Sequence, residues 1–161
     1  MKLIKIVAIL LIALGLNAAE NPAKADYVAN MKALHKIVPS ISPQKLMEWN
    51  KSGKDFILLD VRDYDEVMLG NIDAEVFRKI SRGKLEFGAI KNNLIPQDKT
   101  VVLYCTGGGR GALSTKVLID YGYKDVYNLT GGFKGWLKAG YPFVNKYGTF
   151  KKVADSETGV E

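Results

Sequence analysis

The chain is poor in the residues that most redox, metal and phosphate chemistry uses. Its 161 residues include one cysteine, Cys105, and one histidine, His35. A single cysteine excludes an intrachain disulfide, a Cys-x-x-Cys oxidoreductase and an arsenate reductase with an internal resolving cysteine. No Gly-Lys-Ser/Thr ending follows any glycine-rich stretch, so a phosphate-binding P-loop is a poor match. Internal repeats and low-complexity tracts are absent, which leaves a globular domain of ordinary size. No arginine–aromatic stripe accompanies the net charge of +6, so nucleic acid is not an expected partner and the lysines read as a solvated surface. The one long apolar run, residues 6–16, is shorter than the ~20 residues a membrane helix needs.

That run has a context of its own. "MKLIKIVAILLIALGLNAAE" orders Lys2 and Lys5, an apolar centre, then Asn17-Ala18-Ala19, as a secretory signal peptide does. Cleavage is expected after Ala19, with Ala25 as second choice, and loss of Lys2 and Lys5 takes the net charge from +6 to +4. No cysteine near these positions supports a lipoprotein. The expected compartment is a bacterial periplasm; an uncleaved leader anchoring the chain in the inner membrane is the alternative. An unpaired cysteine in an oxidising compartment points to a free reactive thiol.

The surroundings of that thiol carry the chemical signal. Residues 101–104 (Val-Val-Leu-Tyr) read as a short buried strand. From Gly111 onward, Ala112, Leu113, Val117, Leu118 and Tyr121 fall on a helical face, with Gly122 as the stop. Between them lies Cys105-Thr106-Gly107-Gly108-Gly109-Arg110, a strand-to-helix turn with almost no side chains. Backbone N–H groups in such a turn can converge on one point, backed by the positive end of the helix. A sulfur held there is favoured as thiolate, whereas a lone cysteine elsewhere is most simply a small core residue. Arg110 adds a fixed cation with a fork suited to oxyanions.

Other segments place the turn in a fold. Asn21 to Lys36 is polar and weakly helical, with His35 on a surface. Ser42-Pro43 reads as N-cap and first residue of a helix ending at Gly53. Strands are expected at 56–59, 74–77 and 126–129, and helices at 64–69, 84–93 and from Gly131-Gly132 onward. Strands alternating with helices mean a parallel α/β sheet with helices on both faces. Ligands in such sheets bind at strand carboxyl ends, where Asp60 and Cys105 both fall.

With these segments in order, the chain resembles the rhodanese (sulfurtransferase) domain family, of the secreted bacterial single-domain type. The resemblance rests on "LLDVRDYDEVMLGNI", "VVLYCTGGGRGALS" and "YGYKDVYNLTGGFKGWLKAGYP", with "SRGKLEFGAI" as a further similar segment. With the leader read above, the expected division is a signal peptide at 1–19, an extension at 20–36, a single rhodanese domain at 37–145 and a polar tail at 146–161. The resemblance implies covalent catalysis by Cys105 through a persulfide. The donor would be thiosulfate or polysulfide, and the acceptor cyanide, a thiol or a partner protein. Thr106, Gly107, Gly108, Gly109, Arg110 and Gly111 would form the anion cradle, with Asp60 and Arg62 as a supporting ion pair. No cofactor and no metal is called for. Asn71 stands where the family has His, and Gly111 where it has Ser or Thr.

Two other readings stay open on sequence. A phosphatase of related fold needs five residues between Cys and Arg, and four stand between Cys105 and Arg110. A sulfur-carrier module with little turnover would present the same loop.

Overall fold

Short, mainly apolar strands without period-two alternation are buried on both faces, and three of them form the centre of the sheet. The computed structural model describes residues 21–151; the expected leader at 1–19 and tail residues 152–161 lie outside the described residues. Five parallel strands stand in the order β1-β5-β4-β2-β3: β1 Ser40–Ile41, β2 Ile57–Asp60, β3 Phe77–Lys79, β4 Val101–Tyr104 and β5 Val126–Leu129. Two hydrophobic clusters divide the strand residues by face. Ile57, Leu59, Val101 and Leu103 point to one, with Leu85, Ala89 and Leu118. Leu58, Val102 and Tyr104 point to the other, with Leu46, Phe133 and Trp136. The single α/β domain with helices on both faces is therefore as expected.

The chain divides into two units, one ending at Ala33 and one beginning at Leu34. Helix α1 (Pro22–Ile37) starts under an Asn21 cap, whose Oδ1 accepts the Ala23 N–H at 3.1 Å. It buries none of its own residues, and His35 on it is exposed. In the second unit, α2 (Pro43–Ser52) has the expected Ser42 cap, which accepts the Lys45 N–H at 3.1 Å. Such a cap contributes about 1 kcal/mol. Helix α3 (Tyr64–Met68) follows β2, α4 (Gly109–Asp120) follows β4, and α5 (Gly132–Lys138) follows β5.

The structure corrects the sequence reading in three places. The strand expected at 74–77 is Phe77–Lys79, because it is an edge strand whose register is set by pairing with Leu58, Leu59 and Asp60. The helix expected at 84–93 is a 3₁₀ turn, Arg82–Lys84, followed by a π-helical turn, Glu86–Lys91. The wider π-turn lets Gly88 lie against Ile80, where a Cβ would stand 3.1 Å from its Cγ2. The region read as tail from 146 contributes β7 (Gly148–Phe150), which pairs antiparallel with β6 (Phe143–Asn145) under a Phe143–Phe150 stack.

Topology fixes where a ligand would go. From β2 the chain runs outward to β3, and from β4 it runs the opposite way to β5, so the winding reverses between β2 and β4. The crevice of a parallel sheet opens at the carboxyl ends of strands on either side of such a reversal.

Candidate functional site

Asp60 closes β2 and Cys105 follows β4, so both stand at that reversal, with Asp60 in register with Tyr104. The Val61 N–H donates to the Tyr104 carbonyl at 2.9 Å and brings residues 61–66 alongside the cysteine loop. Cys105 is a free thiol, 2% exposed, and its Sγ accepts the Gly108 N–H at 3.2 Å. Gly108 is the N-cap of α4 at φ +96°, a left-handed conformation that lets its amide turn inward. The helix thus begins at Gly109, two residues earlier than its apolar periodicity alone indicates. Thr106 is half-buried, and Gly107 is exposed with open space where its Cβ would lie. Gly107 is therefore the open side of the loop.

The loop carbonyls are held from below by α5. Phe133 N–H donates to Cys105 O at 2.8 Å and Lys134 N–H to Thr106 O at 2.9 Å. This contact explains the second glycine of Leu-Thr-Gly-Gly. A Cβ on Gly132, at φ +57°, would lie 2.2 Å from Cys105 O. Only glycine permits that approach.

Asp60 and Arg62 form an ion pair inside the domain, 0% and 2% exposed respectively. Arg62 Nη2 reaches Asp60 Oδ2 at 2.6 Å and the Gly70 carbonyl at 2.7 Å, and Nε donates to Asp60 Oδ1 at 3.0 Å. The guanidinium also stacks 4.4 Å from the Phe133 ring. Burial opposes its charge, yet Asp60 more than offsets this and holds its pKa above the ordinary value. Burial pushes the neighbouring Tyr104 phenol well up, with Asp60 adding to the effect. Its hydroxyl accepts the Ile72 N–H at 3.3 Å.

Arg110 lies at the other side of the loop and is already occupied. Its Nη1 and Nη2 meet Glu66 Oε2 and Oε1 at 2.7 and 2.6 Å, and Nη1 meets Asp63 Oδ2 at 3.3 Å. The Thr106 hydroxyl donates to Glu66 Oε1. The Arg110 guanidinium is the main cause that holds the Glu66 carboxyl down at about 2. Glu66 in return raises Arg110 above the ordinary arginine value. Sequence reasoning assigned Glu66 no role. The usable signal was the Asp63-x-x-Glu66 capping box, which places Glu66 in the first turn of α3 beside the loop.

The two departures from the family pattern have distinct physical settings. A Cβ on Gly111 would stand 2.3 Å from Asn128 Oδ1, so the carboxamide on β5 occupies the space of a larger residue. Asn128 is buried, and its amide atoms have no hydrogen-bond partner among the described residues. Asn71 ties its backbone to Val144 in both directions, at 2.8 and 2.9 Å, and its Nδ2 donates to Ile72 O at 3.0 Å. It sits at the hairpin, holding β6. Among the described residues no group of three or more His, Cys, Asp or Glu is placed to hold a metal ion.

The Rhodanese-like domain matches residues 42–139. "Sulfurtransferase" of Allochromatium vinosum is 30% identical over 108 residues, covering 67% of this chain and 96% of that protein. "Probable adenylyltransferase/sulfurtransferase MoeZ" of Mycobacterium tuberculosis is 36% identical over 111 residues, and the chain spans only 27% of its length. Among solved structures, the polysulfide-sulfur transferase homodimer of Wolinella succinogenes is 34% identical. The superposition covers 76% of this chain and 90% of that one, with a TM-score of 0.65.

Proposed function

The chain belongs to the Rhodanese-like domain family, and from that premise we propose that it transfers sulfane sulfur through a persulfide on Cys105. The thiolate attacks the outer sulfur of a donor, the donor's S–S bond breaks, and its electron pair leaves with the remainder. A second nucleophile, a thiol or cyanide, then takes the outer sulfur and regenerates the thiolate. The observation that carries this reading is the Cys105 loop. Its sulfur accepts an amide hydrogen at the head of α4, with an open face at Gly107. Amides and helix ends oriented in advance stabilise a sulfur anion without reorganising at the moment of reaction. The cysteine performs covalent catalysis, and Thr106, Gly107, Gly108, Gly109, Arg110 and Gly111 shape the cradle. Asp60 and Arg62 support it from inside.

Thiosulfate and polysulfide are the donors proposed, and a partner protein with an exposed thiol is a natural acceptor. The Wolinella succinogenes relative is named for polysulfide, which makes polysulfide the second donor to test. A phosphatase reading fares worse, since a phosphate cradle needs the arginine that Glu66 holds. The leader-like residues 1–19 support export to a periplasm, and subcellular fractionation with N-terminal sequencing tests that placement. The catalytic reading is tested by turnover of thiosulfate or polysulfide with cyanide or a dithiol. Native protein should turn over, and Cys105→Ser, nearly isosteric, should fold and be inactive. Equal turnover in both would overturn the assignment.

A further inference from the structure

An arginine that ends a cysteine loop reads on sequence as a free cation for an incoming anion. Here its fork is already matched to a carboxylate. Both terminal nitrogens of Arg110 contact Glu66, at 2.7 and 2.6 Å, and a second carboxylate, Asp63, lies at 3.3 Å. Nη2 also approaches Thr106 Oγ1 at 3.4 Å, so the guanidinium is turned along the loop. Two carboxylates against one guanidinium leave this side of the mouth with a negative excess. Lys134, whose amide binds Thr106 O, is exposed, and a flexible exposed ammonium is a screened, unfixed charge.

We propose that Glu66 is a specificity-determining residue of this site. By occupying Arg110, it withdraws the fixed cation from the donor and biases the loop toward donors of low negative charge. The chemical class favoured is an organic persulfide, R–S–SH, over dianionic thiosulfate. The inference rests on the sulfur-transfer reading above and refines its donor.

The chemistry balances without an oxidant. Cys105 thiolate attacks the outer sulfur of R–S–SH; the inner S–S bond breaks, R–S⁻ leaves with the electron pair, and the enzyme carries Cys–S–SH. With thiosulfate the same attack expels sulfite, so a doubly charged donor must enter, and a doubly charged group must leave, beside Glu66 and Asp63. Removing one of those charges lowers the electrostatic cost for the dianion more than for the persulfide.

The test measures rates of persulfide formation on Cys105 by intact mass, using thiosulfate and cysteamine persulfide, whose ammonium offsets its persulfide anion, as separate probes. Native protein, Glu66→Gln and Asp63→Asn are compared. Glu66→Gln should raise the thiosulfate-to-persulfide rate ratio about tenfold, because it frees Arg110 and removes a charge. Asp63→Asn, which keeps a competent N-cap for α3, should raise it about threefold. A ratio unchanged or lowered in the folded variants overturns the inference. If Glu66→Gln does not fold, Asp63→Asn alone decides. Native protein that gains no sulfur from either probe overturns the sulfur-transfer reading and this inference with it.

Discussion

Two arginine–carboxylate pairs border the cysteine loop, and their surroundings give them different work. Asp60–Arg62 is closed off from water, at 0% and 2% side-chain exposure, and its remaining donors are spent on backbone carbonyls. Glu66–Arg110 is 28% and 34% exposed, at the rim. The inner pair is a strut that ties the end of β2 to Gly70 and the Phe133 ring. The outer pair sets the charge that a substrate meets. The same chemical pairing becomes framework or selector according to its solvation.

Breaking the inner pair should give the largest effect. Asp60→Ala leaves a buried guanidinium without a counterion, a loss of about 3–5 kcal/mol. Chemical denaturation measures it, and a loss below about 1 kcal/mol would mean that the pair is not a strut. Next comes the floor beneath the cysteine loop. Gly132→Ala puts a methyl 2.2 Å from Cys105 O and should displace the loop. Turnover should fall about 10²-fold, the scale of a 1 Å misplacement, at a stability cost of about 1–3 kcal/mol.

How far the sequence alone reveals this arrangement depends on which forces are local. Strands β2, β4 and β5 are legible because each carries a short, mainly apolar run bounded by turn residues, and the caps at Ser42 and Gly53 are written in single residues. The edge strands are not. The two residues of β1 and the shifted β3 are defined by hydrogen bonds to neighbours and not by any pattern of their own. The β6–β7 hairpin hides behind the polar Asn145-Lys146-Tyr147 stretch. Cys105, its glycines and Arg110 are contiguous, so the loop could be read directly. That Glu66 holds Arg110, or that Asn128 fills the space beside Gly111, depends on segments brought together only by folding.

The Gly111–Asn128 contact gives a sharper, smaller test. Gly111→Ser should destabilise by about 1–3 kcal/mol through overpacking against Asn128. Adding Asn128→Ala should recover most of that loss, which a double-mutant cycle reads as coupling. Additive losses would place the strain elsewhere.

The outer pair should respond to acid, with the smallest effect. Glu66 is held at about 2, below its ordinary 4.5, so its pair stabilises the fold fully above about pH 5. That contribution falls away as pH drops toward 2. The stability difference between native protein and Glu66→Gln should therefore be flat above pH 5 and shrink below it. For a rim pair it should be about 1 kcal/mol or less. A difference that persists undiminished to pH 2 would show that the glutamine acts through something other than lost charge.

The central claim is that sulfur resides on Cys105 between donor and acceptor. Intact mass of the purified protein, incubated with polysulfide and then with cyanide, tests it most directly. The expected result is a gain of one sulfur atom that cyanide removes and that Cys105→Ser does not show. Unchanged mass after the donor, or a gain that survives Cys105→Ser, would contradict it.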